Sequence, residues 1–139
     1  MGKSVQEVMT SNPTSVEANS PVIDAARIMK QEDVGIVPVV EGDRLAGTVT
    51  DRDIALRVVA EGKDPQSTSV REIASTDLVT VDPQQDLDEA LRLMASHQIR
   101  RLPVVEEGGK LVGIVAQADV AREANDKQTG ELVEEISQP

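Results

Sequence analysis

The chain has 139 residues, the size of one ordinary domain with a hydrophobic core of its own. Its formal net charge of −11 and its complete lack of Phe, Tyr and Trp exclude sequence-independent nucleic-acid binding through a basic face or aromatic stacking. It has no Cys, which excludes disulfides, thiolate metal sites and cysteine nucleophiles, and without a signal peptide or membrane-spanning apolar run we expect a soluble cytoplasmic protein.

The chain contains an internal repeat, in which residues 5–41 align with residues 70–106 without a gap. One extra residue in the turn "EEGGK", compared with "EGDR", then shifts the alignment by one position, as hairpin turns tolerate. Matching positions are Val5 and Val70, Val16 and Val81, Met29 and Met94, Pro38 and Pro103, Gly47 and Gly113, and Asp53 and Asp119. The protein is therefore expected to consist of two similar units.

Each copy of the repeat is predicted to open with a short helical turn, because two Ser/Glu pairs have capping-box spacing, Ser4 with Glu7 and Ser69 with Glu72. An amphipathic helix follows in each copy, and the first is expected to start at Ser20 and Pro21. The apolar stripes are Val22, Ala25, Ala26 and Met29 in the first helix, and Leu87, Ala90, Leu91 and Met94 in the second.

A β-hairpin comes next in each copy, "VGIVPVV" with "LAGTVT" and "IRRLPVV" with "LVGIVA". These strands are mostly apolar, so we expect them to be buried. A further helix, "DRDIALRVVAEG", is predicted to end at Gly62. Polar residues 63–69 link the two copies, and the tail at 126–139 is predicted to contain a short helix from Thr129.

The pattern predicts an α/β fold built from two βαββα units, residues 4–62 and residues 70–125. Each unit has too little apolar surface to be stable alone. We therefore expect the units to pack sheet to sheet in one pseudo-twofold globular module.

Enzymatic functions are not favoured by the residues. The chain has one His and no Cys, which leaves no catalytic triad and no cluster with metal-ligand spacing. The acidic pairs Asp51/Asp53 and Glu134/Glu135 fit helix-start and solvent-facing charges better than a glycosidase pair. No P-loop or GxGxxG motif is present. We expect no catalysis, no obligatory cofactor, and no hydrolysis of a bound nucleotide.

Thr50 and Asp53, three positions apart in "GTVTDRDI", fit two hypotheses. In the first, Thr50 is the N-cap of the following helix and Asp53 complements its dipole. In the second, the Asp53 carboxylate accepts hydrogen bonds from both hydroxyls of a ribose, while Thr50 contacts the sugar or a phosphate. The spacing alone favours the cap, and the two hypotheses are compatible when no ligand is bound.

The duplicated order of these motifs resembles tandem CBS (cystathionine β-synthase type) motifs that form a Bateman module. The resemblance is carried by "AARIM" and "ALRLM", "GIVPVV" and "RLPVV", and "GTVTDRDI" and "GIVAQADV". Stand-alone bacterial CBS pairs of the mycobacterial hypoxic response protein type are similar. The resemblance implies a regulatory module that binds AMP, ADP, ATP, NAD or S-adenosylmethionine and reports on energy state. It also implies a homodimer and an unidentified effector protein.

In the family, the positions of Thr50 and Asp53 form a ribose motif, so the resemblance favours the ligand-binding hypothesis for this pair. The second copy departs from the motif. Asp119 matches Asp53, but Ala116 and Gln117 stand in place of Thr50 and Asp51. Because the Thr hydroxyl is absent there, we expect the second site to be weaker or empty.

The resemblance also implies residues for the phosphate and the adenine. Arg52, Arg100 and Arg101 are the expected phosphate donors, with His97 as a further candidate, although surface salt bridges are an equal alternative for the arginines. Without aromatic residues, the adenine walls are expected to be aliphatic. They would come from Thr14, Ser15, Val16, Ile36 and Pro38, with Thr80, Val81, Ile99 and Pro103 as their counterparts, unless these are ordinary core residues.

The leading hypothesis is a non-catalytic regulatory module that binds an adenosine-containing ligand in the cleft between the two motifs. The alternative is a structural or protein-interaction dimer with degenerate nucleotide sites, which Ala116 and the lack of an attached output domain favour. Ile54, Val58, Ala90 and Leu91 fit either a dimer interface or the core.

Overall fold

The computed structural model describes residues 2–123 of the chain. The elements of the first repeat are α1 (Val5–Val8), β1 (Thr10–Ser11), β2 (Val16–Glu17), α2 (Val22–Glu32), β3 (Ile36–Glu41), β4 (Arg44–Thr50) and α3 (Asp51–Ile54). Those of the second are a 3₁₀ turn (Val70–Glu72), α4 (Leu87–His97), β5 (Arg101–Val105), β6 (Leu111–Ala116) and α5, described over residues 117–123. The helix predicted from Thr129 lies outside the described residues.

The mixed α/β fold and its paired elements confirm the predicted fold class. α2 buries Val22, Ala25 and Met29, and α4 buries Leu87, Ala90 and Met94, because apolar residues three and four apart share one helix face. Leu91, which fits either a dimer interface or the core, is 38% exposed and so lies outside the core. It lies at the edge of its stripe, as the half-buried Ala26 does in α2. No helix among the described residues is both long and apolar enough to cross a membrane.

The helix after β4 starts and ends where the sequence predicts, but its hydrogen bonding changes midway. Thr50 is the N-cap of α3, and a π-helical turn continues it over Ala55–Val59. Gly62 has a φ of +69°, and the Lys63 N–H donates to the carbonyl of Val58 at 2.9 Å. This is the glycine-terminated helix end expected from the sequence; the π turn has no signal in the sequence.

The strands form two sheets of three strands each, in the orders β2-β3-β4 and β1-β6-β5. β3 pairs antiparallel with β4, and β5 pairs antiparallel with β6, so both predicted hairpins are confirmed. The register shifts between Val39 and Val40 in one hairpin and between Val104 and Val105 in the other. The two hairpins therefore have the same irregularity at equivalent positions of the repeat.

Each sheet is extended by a segment that belongs to the other repeat in the sequence. β1 belongs to the first repeat but pairs with β6 of the second, with Thr10 opposite Ile114. In the other sheet, Ser75 of the second repeat forms an antiparallel bridge with Thr48 of β4. The two halves of the molecule are thus interlocked through their sheet edges.

The opening helical turns are exchanged in the same way. Val5 of α1 lies in the core of the second repeat, whereas Val70 and Ile73 lie in the core of the first. The Val5 N–H donates to the Gln85 carbonyl at 2.8 Å. Each repeat thus completes the core of the other, and the boundaries 4–62 and 70–125 describe the repeat in the sequence, not two separate packed units.

The linker between the repeats caps α2. Pro21 is the N-cap residue and makes no side-chain cap hydrogen bond. The Val22 N–H instead donates to the carbonyl of Thr68 at 2.8 Å, and the Ile23 N–H donates to that of Pro65 at 3.0 Å. Because the first N–H groups of a helix lack partners within it, the linker satisfies them and is fixed against the first repeat.

Two glycines stand where the exchanged segments cross the hairpins. A Cβ at Gly47 would lie 2.7 Å from the carbonyl oxygen of Ser75. A Cβ at the equivalent Gly113 would overlap the Met9 sulfur and lie 3.0 Å from the Thr10 carbonyl oxygen. Only glycine allows the backbones to approach this closely.

We predict that Gly47→Ala lowers the free energy of unfolding by about 1–3 kcal/mol, because the new methyl group displaces the backbone at Ser75. Urea unfolding followed by circular dichroism measures the change. Gly2→Ala is the matched control, since nothing lies within 4 Å of a Cβ there. Equal stability of the two variants would show that the Thr48–Ser75 bridge adjusts freely.

The first capping box predicts a pH dependence of stability. The Ser4 N–H donates to Glu7 Oε2 at 2.7 Å, and the Ser4 hydroxyl donates to the same oxygen at 3.2 Å. These hydrogen bonds lower the pKa of Glu7 from its ordinary value of 4.5. A carboxyl whose pKa is lower in the folded state contributes stability above its unfolded pKa, and that contribution is lost as the pH falls through the folded pKa.

We therefore expect wild type to lose more stability than Glu7→Gln when the pH falls from 7 to about 3, below the ordinary range of the carboxyl pKa. Urea denaturation of both proteins at a series of pH values measures this difference. Parallel pH profiles would contradict a role for the ionised Glu7 in holding α1.

Candidate ligand-binding clefts

Two cavities lie between the halves of the molecule. The first, here called the Asp53 cleft, has a volume of about 230 Å³. The second, the Asp119 cleft, has a volume of about 320 Å³. The Asp53 cleft is lined by Ile36, Thr48, Thr50, Asp53, Ser75, Asp77, Leu78, Val79, Ile99, Arg101 and Pro103. The Asp119 cleft is lined by Thr10, Pro13, Thr14, Ile28, Glu32, Val34, Ile36, Val37, Pro38, Arg101, Ile114, Ala116, Ala118, Asp119 and Arg122.

The two clefts are related by the internal repeat. Each combines the end of one hairpin and the helix that follows it with the chain after the opening turn of the other repeat. Equivalent lining residues are Thr48 and Ile114, Thr50 and Ala116, Asp53 and Asp119, Ser75 and Thr10, Leu78 and Pro13, Val79 and Thr14, Ile99 and Val34, and Pro103 and Pro38. The segment exchange therefore builds both clefts.

Thr50 and Asp53 form a reciprocal capping box at the edge of the Asp53 cleft. The Asp53 N–H donates to Thr50 Oγ1 at 3.0 Å, and the Thr50 N–H donates to Asp53 Oδ2 at 2.9 Å. The cap hypothesis is thus confirmed for this structure. A carboxylate has about four acceptor positions and a hydroxyl keeps its own proton to donate, so both side chains retain hydrogen-bonding capacity toward the cleft.

The two aspartates differ in their surroundings. The Asp53 side chain is 17% exposed and its Oδ1 lies 4.0 Å from Arg57 Nε. The Asp119 side chain is 29% exposed, and its Oδ1 lies 3.7 Å from Arg122 Nη2. Ala116 has no hydroxyl with which to complete a capping box in front of Asp119. The carboxylate of the second cleft is therefore more open and is held by fewer neighbours.

Arg101 stands at the start of β5 and lines both clefts. It is half-buried, and no carboxylate of residues 2–123 lies within 4 Å of its guanidinium. The Asp53 cleft combines Arg101 with two acidic residues, Asp53 and Asp77. The Asp119 cleft adds a second arginine, Arg122, to its two acidic residues, Glu32 and Asp119.

The structure brings some of the other sequence-predicted residues to these clefts. Ile36 lines both clefts, Thr14 and Pro38 line the Asp119 cleft, and Ile99 and Pro103 line the Asp53 cleft. The aliphatic walls next to Thr50 and Asp53 thus come from the second repeat, apart from Ile36, which both clefts share.

Other predicted residues lie elsewhere. Ser15, Val16, Thr80, Val81 and Arg52 are not among the residues that line either cleft. Val16 and Val81 are buried in the two cores, as their alternative interpretation had it. Arg52 is exposed, and so is His97, the last residue of α4. Arg100 lines a neighbouring depression with Gln117 and Ala118.

Sequence reasoning missed the cleft residues that come from segments 75–79 and 10–13. The repeat alignment matches these segments to each other, but it does not show that each crosses to the other hairpin. Glu32 and Arg122 were also missed; as charged helix residues they look like ordinary surface positions. The usable signal was Gly47 and Gly113, glycines inside strands that often mark a close backbone approach.

The chain matches the family model for the CBS domain over residues 5–60 and 70–126. CBS domain-containing protein YhcV of Bacillus subtilis is 47% identical over 135 residues, which cover 96% of this chain and 95% of that protein. Hypoxic response protein 1 of Mycobacterium tuberculosis is 36% identical over 135 residues, which cover 96% of this chain and 94% of that protein.

Solved structures share the fold. CBSX2 in complex with AMP has a TM-score of 0.78 and 28% identity, and the match covers 91% of this chain and 99% of that one. The CBS domain pair of protein MJ0100, in complex with 5′-methylthioadenosine and S-adenosyl-L-methionine, has a TM-score of 0.79 and 26% identity, with coverages of 91% and 99%.

Hypoxic Response Protein I with two coordinated zinc ions has a TM-score of 0.80 and 37% identity, and the match covers 86% of this chain and 98% of that one. Zinc prefers Cys and His ligands in proteins. This chain has no Cys and one His, and residues 2–123 contain no group of three or more His, Cys, Asp or Glu placed to hold a metal ion. The described residues therefore do not fit a comparable zinc site.

The family match covers both repeats, and YhcV and Hypoxic response protein 1 align over almost their whole length. The fold is shared with the solved CBS pairs at TM-scores of 0.78 and 0.79. The chain therefore belongs to the CBS domain family, and its two repeats form a CBS pair of the Bateman type.

Proposed function

We propose that this CBS pair is a non-catalytic regulatory protein of the cytoplasm that binds an adenosine-containing ligand between its repeats. One observation carries the proposal: Thr50, Asp53, an aliphatic wall and Arg101 converge on a single cleft. These groups match the ribose, the base and the phosphate of a nucleotide. The solved complexes of related CBS pairs with AMP, and with methylthioadenosine and S-adenosylmethionine, support this ligand class.

The ribose is assigned to Asp53. Its Oδ2 accepts one hydrogen bond from the Thr50 N–H, which leaves acceptor positions on both oxygens for two vicinal hydroxyls. The Thr50 hydroxyl accepts from the Asp53 N–H and can donate its proton to a ribose or phosphate oxygen. The capping box therefore holds the carboxylate in place before the ligand arrives.

The base is assigned to the aliphatic part of the Asp53 cleft. Leu78, Val79, Ile99 and Pro103 line it, and the whole chain has no aromatic residue that could stack on a purine. The base would therefore be held by apolar burial and by backbone polar groups, as in pockets with few polar contacts. Arg101 is the phosphate donor, because it is the only basic residue among the described residues that line this cleft.

The signal is proposed to be a change in how the two halves pack. Each cleft is formed by both repeats, so a ligand contacts both halves at once. A ligand shifts an equilibrium between two arrangements only if it binds them with different affinities. The output surface would then be read by an effector protein.

A homodimer is also part of the proposal. Val58 and Ala90 are fully buried in the chain's own cores, so these two positions are not available to a partner. Ile54 is partly buried against the first core. Leu56 and Val59, which are 49% and 70% exposed, and Leu91 remain as exposed apolar positions among the described residues.

We predict that Asp53→Asn weakens binding at least about tenfold, since hydrogen bonds to a charged group contribute about 1.5–3 kcal/mol and 1.4 kcal/mol corresponds to a factor of ten. Isothermal titration of wild type and variant with AMP, ADP, ATP, NAD and S-adenosylmethionine measures this. Asn can still accept from the Thr50 N–H, so the helix cap is largely kept.

Ser69→Ala is the control for an indirect effect of weaker capping. Ser69 is the N-cap of the 3₁₀ turn, its hydroxyl donates to Glu72 Oε2 at 3.4 Å, and it lines neither cleft, so Ser69→Ala removes a capping-box contact away from the clefts and should leave binding unchanged. If no ligand binds wild type, the proposed function is wrong, and the alternative of a protein-interaction dimer with degenerate sites takes its place.

A further inference from the structure

The two clefts share one pair of equivalent positions. Arg101 begins β5 and its counterpart in the repeat, Ile36, begins β3. Both residues line both clefts, so they lie where the clefts meet near the pseudo-twofold axis. One of these central positions carries a guanidinium and the other an aliphatic side chain.

Acidic residues accompany Arg101 in both clefts. In the Asp53 cleft it faces two carboxylates, Asp53 and Asp77, with no other basic lining residue in the described part of the chain. In the Asp119 cleft the second arginine, Arg122, lies 3.7 Å from the Asp119 carboxylate. An anionic ligand in either cleft would therefore depend on Arg101 to offset the acidic surroundings.

We propose that the two clefts compete for Arg101, so that an adenosine ligand carrying a phosphate in one cleft weakens the binding of a second in the other. This inference rests on the proposed function. A guanidinium can pair bidentately with one phosphate at a time. A second phosphate would then find the central charge already neutralised and would be repelled by the first phosphate.

The competition depends on the charge of the ligand. Adenosine has no phosphate and does not need Arg101, so it fills the two clefts without antagonism. A nucleoside monophosphate fills one cleft readily and the other only at higher concentration. The pair would thus respond to ligand charge as well as to ligand concentration.

The test compares AMP binding to wild type with AMP binding to each cleft alone. Asp53→Asn weakens the Asp53 cleft, so the tighter dissociation constant of this variant reports the Asp119 cleft; in Asp119→Asn the tighter constant reports the Asp53 cleft. If the clefts are independent, the second dissociation constant of wild type equals that of the weaker cleft measured alone. We expect it to be about tenfold weaker or more, within the 5–150-fold range typical of coupled sites.

Ile36→Arg gives the other central position its own guanidinium. In this variant we expect the second AMP dissociation constant to equal that of the weaker cleft measured alone. Adenosine is titrated into the same wild-type and single-cleft proteins, and we expect no antagonism between the clefts for this ligand. This comparison keeps the test valid if Ile36→Arg does not fold. Equal second-step and single-cleft constants for AMP would overturn the inference alone, and so would equal antagonism for AMP and adenosine. No AMP binding to any protein would overturn the proposed function on which the inference rests.

Discussion

The structure depends on the exchange of segments between the two repeats. Val5 is buried in the core of the second repeat, and Val70 and Ile73 are buried in the core of the first. Neither repeat can bury its apolar surface by itself, which is the usual constraint on stacked repeats. The same exchange carries segment 75–79 to the Asp53 cleft and segment 10–14 to the Asp119 cleft. The stability of the fold and the geometry of both clefts therefore arise from one set of contacts.

The capping box at Thr50 orders the carboxylate that is proposed to bind the ribose. The hydrogen bonds of 2.9 and 3.0 Å between Thr50 and Asp53 fix the carboxylate at the mouth of its cleft without any ligand. A group that is already ordered loses less conformational freedom on binding. Asp119 lacks such a box and relies on a neighbouring arginine on its own helix, so the second cleft is less preorganised although it is larger.

Much of the fold followed from the sequence, because the periodicity of apolar residues and the capping spacings are local signals. Both long helices, both hairpins and the helix end at Gly62 were predicted from them. The exchange between repeats was not, since an internal alignment gives equivalence and not proximity. For the same reason, three of the predicted site residues, Thr50, Asp53 and Arg101, line the Asp53 cleft, whereas the predicted Val16 and Thr80 line neither cleft. Leu78 and Val79, which line the Asp53 cleft, were not predicted. Which cleft residues face each other depends on tertiary packing that no local pattern records.

The duplicated frame also explains how two clefts of different chemistry arise from one architecture. The backbone of both hairpins is repeated, including the shift of register at Val39 and Val104. The differences lie in side chains: Thr50 is matched by Ala116, and Ile36 by Arg101. Because function resides in sites and not in the fold, substitutions at such positions change the chemistry of each cleft while the shared core is kept. The clearest such difference is at the centre of the molecule, where Arg101 carries a charge and its counterpart Ile36 does not.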